Sequence, residues 1–462
     1  MDLKKKAELK LSLKNALKDV VLSSTSHGIP NIIRSSHISL KVLWTCFTVL
    51  SAGACAYLIT EAIITYFKYE VTTKTRVIYE YKPFFPTVTI CNVNQFTSNL
   101  SENFIKNHER ILLSDNPLER SAETKANILS KSPEFEKWKN LYGDPLEKLI
   151  VNCEFNLEKC NTTNFKFFLH PFYGNCYQFN SGYNQNGEPV DIELSMTSDK
   201  RQGLRLILNV SVPESLQFLS PSSGAMVFLH NQSTYPLMVN EISLSPRAET
   251  SIAFSRVYFE SQQRPYSNCN AQANDANNNF SDVFKLVHAN TIKYTQTLCV
   301  FQCFQRLIVN ECKCFVSFYP SFFDAAPCSN QSQRSCANKN FEMFKKEDYF
   351  EKVCLEDCPL ECDGMWFDTT VSSNQFTNLK FKQALQNYDG PGAVYFNKSI
   401  NMEDLVAANI HFKSLNYIKI TENPTIDIVG LISSIGGVAG LFLGISMLTL
   451  VEIFECLMQV FF

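Results

Sequence analysis

The chain has 462 residues, of which 19% are charged and 45% hydrophobic, and its formal net charge is −3 at neutral pH. That length allows two or three soluble domains or one elaborate one, and so even a charge balance excludes the strongly basic surface a nucleic-acid partner needs. No nucleophile–base pair and no metal-ligand spacing stands out, so the sequence gives no support to an enzyme and calls for neither cofactor nor metal.

In chain order, residues 3–22 place Leu9, Leu11, Leu13, Ala16, Leu17 and Val20 among lysines. The pattern fits an amphipathic helix, either lying on an anionic membrane surface or solvated. His27-Gly28-Ile29-Pro30 breaks it, because proline removes a donor and disfavours a helical residue before it. Val42–Thr60 and Ile428–Val451 contain no charged residue over 19 and 24 positions. At about 1.5 Å per residue each covers most or all of a hydrocarbon core of roughly 30 Å. A cleaved signal peptide is a poor reading of the first run, which starts some 40 residues in and lacks a small-residue cleavage pattern. The expected layout is a cytoplasmic segment at 1–39, a first span at 40–64, an extracellular region at 65–424 and a second span at 425–462.

Three features orient these spans. Residues 1–41 hold eight Lys or Arg against three acidic residues, the bias that keeps a flank cytoplasmic. Seven Asn-x-Ser/Thr acceptors, at Asn99, Asn161, Asn209, Asn231, Asn279, Asn330 and Asn397, all fall between the spans. Fourteen of the seventeen cysteines, Cys91 to Cys362, fall there too, an even number that suggests seven disulfides in an oxidising compartment. Both termini are therefore expected in the cytoplasm of a plasma-membrane protein.

Tyr81–Asn92, Gly203–Val212 and Gly224–Asn231 read as strands, residues 100–150 as helical and polar, and residues 270–282 as a mobile polar insertion. Cys299 and Cys303 are four apart, as are Cys354 and Cys358. On helices that spacing puts both sulfurs on one face, so two antiparallel helices can share a ladder of disulfides. Zinc is the competing reading, but its clusters usually use closer pairs in reducing compartments.

The second apolar run carries Gly436, Gly440 and Gly444, a stripe of small residues that lets helix backbones approach. Gly444-Ile445-Ser446 then interrupts the helix, freeing carbonyls that only a water-filled path can satisfy. Beyond it stand Glu452 and Glu455, costly against lipid yet suited to rings of negative charge in a symmetric oligomer. Together these features describe a cation pore.

His27-Gly28, "FFPTVTICN" (84–92), "CYQFNSG" (176–182), "YSNC" (266–269), the cysteine ladder, "GLFLGIS" and "LTLVEIFE" occur in one order, and as a set they resemble the degenerin/epithelial sodium channel superfamily. The resemblance covers nearly the whole chain. It implies a trimer with two transmembrane helices per chain and a large, disulfide-rich α+β ectodomain shaped like a hand: palm, finger (about 97–175), thumb (about 299–365), knuckle and β-ball. It implies a sodium-selective, amiloride-blocked pore with Gly444, Ile445 and Ser446 as filter, Glu452 and Glu455 at the inner mouth and Ser433 at the outer-pore position. His27-Gly28 corresponds to the gating motif, expected as a re-entrant turn below the pore. The implied disulfides are Cys91–Cys176, Cys153–Cys160, Cys269–Cys362, Cys299–Cys358, Cys303–Cys354, Cys312–Cys336 and Cys314–Cys328.

Within the superfamily, "HGIPNI", "FFPTVTICN" and "RPYSNC" look closest to the invertebrate channels gated by FMRFamide-like neuropeptides. An amidated peptide bearing Phe and Arg suits an aromatic pocket with a carboxylate, and Phe104, Phe135, Trp138, Tyr142, Phe165, Phe167 and Phe168 supply aromatics in the finger region. The bland reading of most of these rings is packing. Proton gating and constitutive activity are the alternatives within the superfamily. A non-conducting two-span receptor gains nothing from Glu452 and Glu455, and the ATP-gated two-span family needs ten cysteines and a lysine-rich phosphate site.

Overall fold

The computed structural model describes residues 22, 28–107, 142–232, 234–236, 241–278, 280–328, 330–346, 350–376 and 401–461. The amphipathic segment, apart from Leu22, and His27 lie outside the described residues, as does most of the stretch 100–150. Two compact units emerge: Met1–Thr73 with Glu422–Phe462, and Lys74–Thr421.

The first unit is helical. Helix α1 (Ile29–Arg34) begins with Pro30 in its first turn, where the missing N–H is no loss. Helix α2 (Ile38–Phe67) runs 30 residues, about 45 Å. It extends the expected span at both ends and is the one described helix long and apolar enough to cross a bilayer. Its threonine hydroxyls are satisfied internally: Thr45, Thr48, Thr60 and Thr65 donate to carbonyls four residues back at 2.7 to 2.9 Å.

The second unit is built on strands. In chain order these begin with β1 (Val71–Ile78) and β2 (Thr87–Asn92), followed by helices α3 (Asn99–Asn107) and α4 (Leu146–Leu149). Strands β3 (Ile150–Phe155), β4 (Glu158–Lys159), β5 (Phe165–His170), β6 (Gly174–Phe179), β7 (Leu204–Asn209), β8 (Ala225–His230), β9 (Glu241–Leu244), β10 (Ala248–Glu260) and β11 (Cys269–Asn270) come next. After them stand α5 (Asp282–Asn290), α6 (Gln296–Cys312) and α7 (Gln331–Phe344), then β12 (Leu360–Glu361), β13 (Asp363–Gln375) and β14 (Leu405–Pro424). The first unit resumes with α8 (Ile428–Leu443) and α9 (Met447–Phe461).

A first sheet runs β13-β10-β14-β7-β3-β4, with β1 also on β14, a second runs β5-β6-β2-β8-β9, and β11 pairs with β12 in a third. Within the first, β10 and β14 pair in parallel, with a register shift between Phe254 and Arg256. All six residues of β2 are buried, as befits a central strand covered on both faces. Phe85, fully buried, centres the core, its ring 4.9 Å from Phe155, 5.6 Å from Phe254 and 6.1 Å from Phe412. Such edge-on pairs add to area burial by about 0.5–1.5 kcal/mol each.

Three expectations need correction. The strand expected over Tyr81–Asn92 begins only at Thr87, because Pro83 and Pro86 withhold ladder donors and Lys82 turns left-handed at φ 57°. The stretch 270–278 is not a loose insertion. Asn270 Oδ1 accepts from Gln272 N–H at 2.9 Å, Asp275 Oδ1 accepts from Asn277 N–H at 3.0 Å, and Asn274 Nδ2 donates to Asp363 at 2.9 Å, around a fully buried Ala273. Short polar side chains here stand in for backbone partners and fix the turns. Finally, Cys354 and Cys358 are not on an α-helix: Cys354 ends a π-turn (Phe350–Cys354), one α-turn (Leu355–Asp357) follows, and Pro359 stops it. The wide turn still aims both sulfurs at α6, where Arg306 pairs with Asp357.

Seven disulfides close the second unit: Cys91–Cys176, Cys153–Cys160, Cys269–Cys362, Cys299–Cys358, Cys303–Cys354, Cys312–Cys336 and Cys314–Cys328.

Candidate functional site: an interrupted pore helix

The apolar run near the chain's end is not one helix. Asp427 starts α8 by accepting the Gly430 N–H at 2.7 Å, an N-cap the sequence reading passed over although Asp just ahead of an apolar run signals it. Sixteen residues later Gly444 adopts φ 72°, ψ 18°, a left-handed conformation in which an added Cβ is strained. Its N–H bonds the Gly440 carbonyl at 3.0 Å, the five-to-one bond of a left-handed helix cap, and Ile445 N–H reaches back to Ala439 at 3.3 Å.

Ser446 then opens α9. Its N–H donates to Thr449 Oγ1 at 3.0 Å, and Thr449 N–H returns to Ser446 Oγ at 3.4 Å, a reciprocal capping pair. With the amides of Ile445 and Ser446 so engaged, the carbonyls of Leu441 and Phe442 lose the partners a continuous helix gives them. The Gly-x-Ser spacing thus has a local cause: glycine ends one helix, serine starts the next, and the residue between belongs to neither. Ser446 is exposed and Thr449 buried. The expected 24-residue span is therefore two helices, of 16 and 15 residues.

Glu452 and Glu455, three apart on α9, share a face, and lie about 9 and 13 Å along the helix from Ser446. Glu455 is exposed and Glu452 half-buried. Ser433 is an exposed residue of α8, eleven positions before Gly444. Among the described residues, a methyl at Gly436 meets nothing within 4 Å and one at Gly440 meets only the Ile445 carbonyl oxygen, at 3.6 Å. At the other end, Gly28 caps α1 against α2, where a Cβ would overlap the Thr48 side chain. Thr48 stands ten residues into α2, about 15 Å from its start, so the segment carrying Gly28 doubles back along the helix.

Among the described residues, Tyr142 and Phe165 of the aromatic set fall in different clusters. Phe165 is 2% exposed with its ring 5.6 Å from Phe179, because β5 pairs it with that residue and turns it into the main core. Tyr142 is buried in a different cluster with Phe96, Leu216 and Leu219. Phe167 packs on Tyr177 at 5.9 Å. Phe168, half-buried, reaches Tyr235 at 5.2 Å. Phe104 lies on α3, while Phe135 and Trp138 lie outside the described residues. Among the glycan acceptors Asn99, Asn161 and Asn330 are exposed, Asn231 is half-buried and Asn209 is buried within β7; Asn279 and Asn397 lie outside the described residues.

Comparison with known proteins places these features in a family. The profile of the family described as "Amiloride-sensitive sodium channel" matches residues 21–456. The chain is 30% identical over 331 residues to the epithelial sodium channel subunit gamma of Xenopus laevis, covering 71% of this chain and 48% of that one. It is 27% identical over 460 residues to acid-sensing ion channel 1 of Gallus gallus, covering 94% of this chain and 82% of that one. The match thus spans about half the length of the epithelial subunit and most of the acid-sensing channel. With a family profile running over both apolar segments, the interrupted helix and the whole cysteine framework between them, the chain belongs to the amiloride-sensitive sodium channel family.

Proposed function

We propose that the chain is a subunit of a trimeric, amiloride-sensitive, sodium-selective channel of the plasma membrane, opened by an extracellular FMRFamide-like neuropeptide. The observation that carries the channel reading is the break at Gly444–Ser446. Capped on both sides, it frees backbone carbonyls inside an apolar segment and sets two carboxylates on the following helix. Carbonyls so freed replace part of an ion's hydration shell, and Glu452 and Glu455, repeated by symmetry, concentrate cations. Sodium is the permeant ion and no cofactor takes part. In this reading α2 and the α8–α9 pair cross the membrane, and both termini are cytoplasmic.

Peptide opening draws its support from "HGIPNI" and "RPYSNC". Opening by protons is the second reading. Similarity to the acid-sensing channel over 94% of the chain favours it, as do carboxyls that burial raises above their ordinary range at Asp404 and, with the charge of Glu158, at Glu193. Whole-cell recording from the chain expressed alone, in sodium solution, separates the readings. A peptide-evoked inward current blocked by amiloride supports the first, current on acidification alone the second. No current to either stimulus, with protein at the surface, overturns both for the homomer.

A further inference from the structure

A second feature lies away from the pore segment. Where β8 ends, α6 begins and β12 passes into β13, a cavity of about 200 Å³ is lined by His230, Asn231, Tyr235, Thr297, Glu361 and Trp366 among others. Its only carboxylate is Glu361, whose Oε2 accepts the Gln296 N–H at the head of α6 at 3.0 Å. Lys293, whose charge acts on Glu361, is ion-paired with Asp363 at 3.8 Å, and among the described residues Glu361 has no ion pair within 4 Å. Burial holds its carboxyl above the ordinary range, although the Gln296 N–H and the charge of Lys293 pull the other way.

The histidine cannot supply that counter-charge. Its ring nitrogens are taken up by Thr89 Oγ1 at 2.7 Å and the Asn231 carbonyl at 2.9 Å, and burial lowers it to about 4, so it is neutral at physiological pH. The remaining polar groups are hydroxyls and an amide, and Tyr235 and Trp366 add aromatic surface. Trp366, 39% exposed, opens the cavity to solvent.

An anion is repelled by Glu361, and an apolar ligand would strand the carboxylate further from water. A cation gains an ion pair and aromatic contact at once. The volume is below the roughly 300 Å³ of the smallest ordinary ligand pockets, so it takes one head group or side chain rather than a whole peptide. We propose that this cavity binds an ammonium or guanidinium group, with Glu361 as counter-ion and Tyr235 and Trp366 as aromatic walls. The inference stands apart from peptide gating: the group can belong to a free small amine or to a basic side chain of a peptide.

Hydrogen–deuterium exchange on the full-length protein in lipid nanodiscs tests it, with agmatine as the first probe. Agmatine is expected to slow exchange at 293–298 and 360–367. Glu361→Gln keeps an oxygen to accept the Gln296 N–H but removes the charge, and should raise the half-saturating agmatine concentration by roughly tenfold or more, as loss of about 1.4 kcal/mol requires. Trp366→Leu should raise it less. In a second arm the probes are Phe-Met-Arg-Phe-amide and the same peptide with norleucine for arginine. Protection by the arginine peptide alone of the two assigns the site to a peptide's basic side chain, and protection by agmatine without either peptide assigns it to a free amine. Absence of protection by agmatine and peptide alike, or protection undiminished in Glu361→Gln, overturns the proposal; binding within the pore would survive that substitution and appear elsewhere.

Discussion

Two interruptions of helical structure in this protein are held in different ways. The π-turn at Phe350–Cys354 is pinned to α6 by two disulfides and an ion pair. The break at Gly444–Ser446 is held only by backbone caps, one left-handed glycine and a serine–threonine exchange of hydrogen bonds. Covalent rungs make the first insensitive to small perturbations. Caps worth about 1 kcal/mol apiece leave the second close to its alternatives, the regime from which gated elements are drawn.

The comparison breaks most visibly at the covalent site. Replacing Cys303 and Cys354 together by Ala opens a bridge whose loop the neighbouring Cys299–Cys358 rung already shortens, and should cost about 2–3 kcal/mol by loop entropy, read as a lower thermal midpoint and less surface protein. If stability is unchanged, the remaining rung alone suffices to pin the π-turn. Next, Gly444→Ala places a Cβ in the left-handed region at about 1–2 kcal/mol. Its thermal midpoint should fall less than that of the double cysteine variant, while reversal potentials should lose sodium preference. Ser446→Ala removes one cap acceptor for about 1 kcal/mol and should shift selectivity in the same direction, with Ser446→Thr restoring it.

The smallest effect concerns acid. His170 is buried, accepts from the Phe172 and Tyr173 amides at 3.2 and 3.3 Å, and is lowered by burial from 6.5 to about 4. A depressed folded-state value means its contribution is complete above pH 6.5 and is lost as pH falls toward about 4. His170→Gln should flatten the fall of the thermal midpoint over that window, which separates acid lability of the second unit from any acid-evoked current.

How much was legible follows from how local each cause is. Gly444 and Ser446 could be read directly, because a left-handed cap and an N-cap depend on residues within one turn. Strands β7 and β8 showed in their own short runs of apolar and branched residues. Phe165 and Tyr142 were harder, since their burial is decided by Phe179 and by Leu216 and Leu219, distant in sequence. No local pattern announces that β10 pairs in parallel with a strand some 150 residues later, and the cavity at the head of α6 is assembled from stretches that share no motif. The turns at 270–278 escaped because polar composition was taken for looseness, whereas Asn and Asp side chains were supplying the hydrogen bonds.

The disulfide framework also bears on how the chain is made. Cys314–Cys328 sits inside Cys312–Cys336, that inside Cys303–Cys354, then Cys299–Cys358, then Cys269–Cys362. Five bridges are nested like brackets, and none crosses another. A polypeptide delivered amino end first therefore meets each partner in order from the inside outward. Every closure shortens the loop the next must close, lowering its entropic cost. An oxidase working on the emerging chain can zip the region shut as synthesis proceeds, and the last cysteine of the set to arrive, Cys362, completes the outermost bracket.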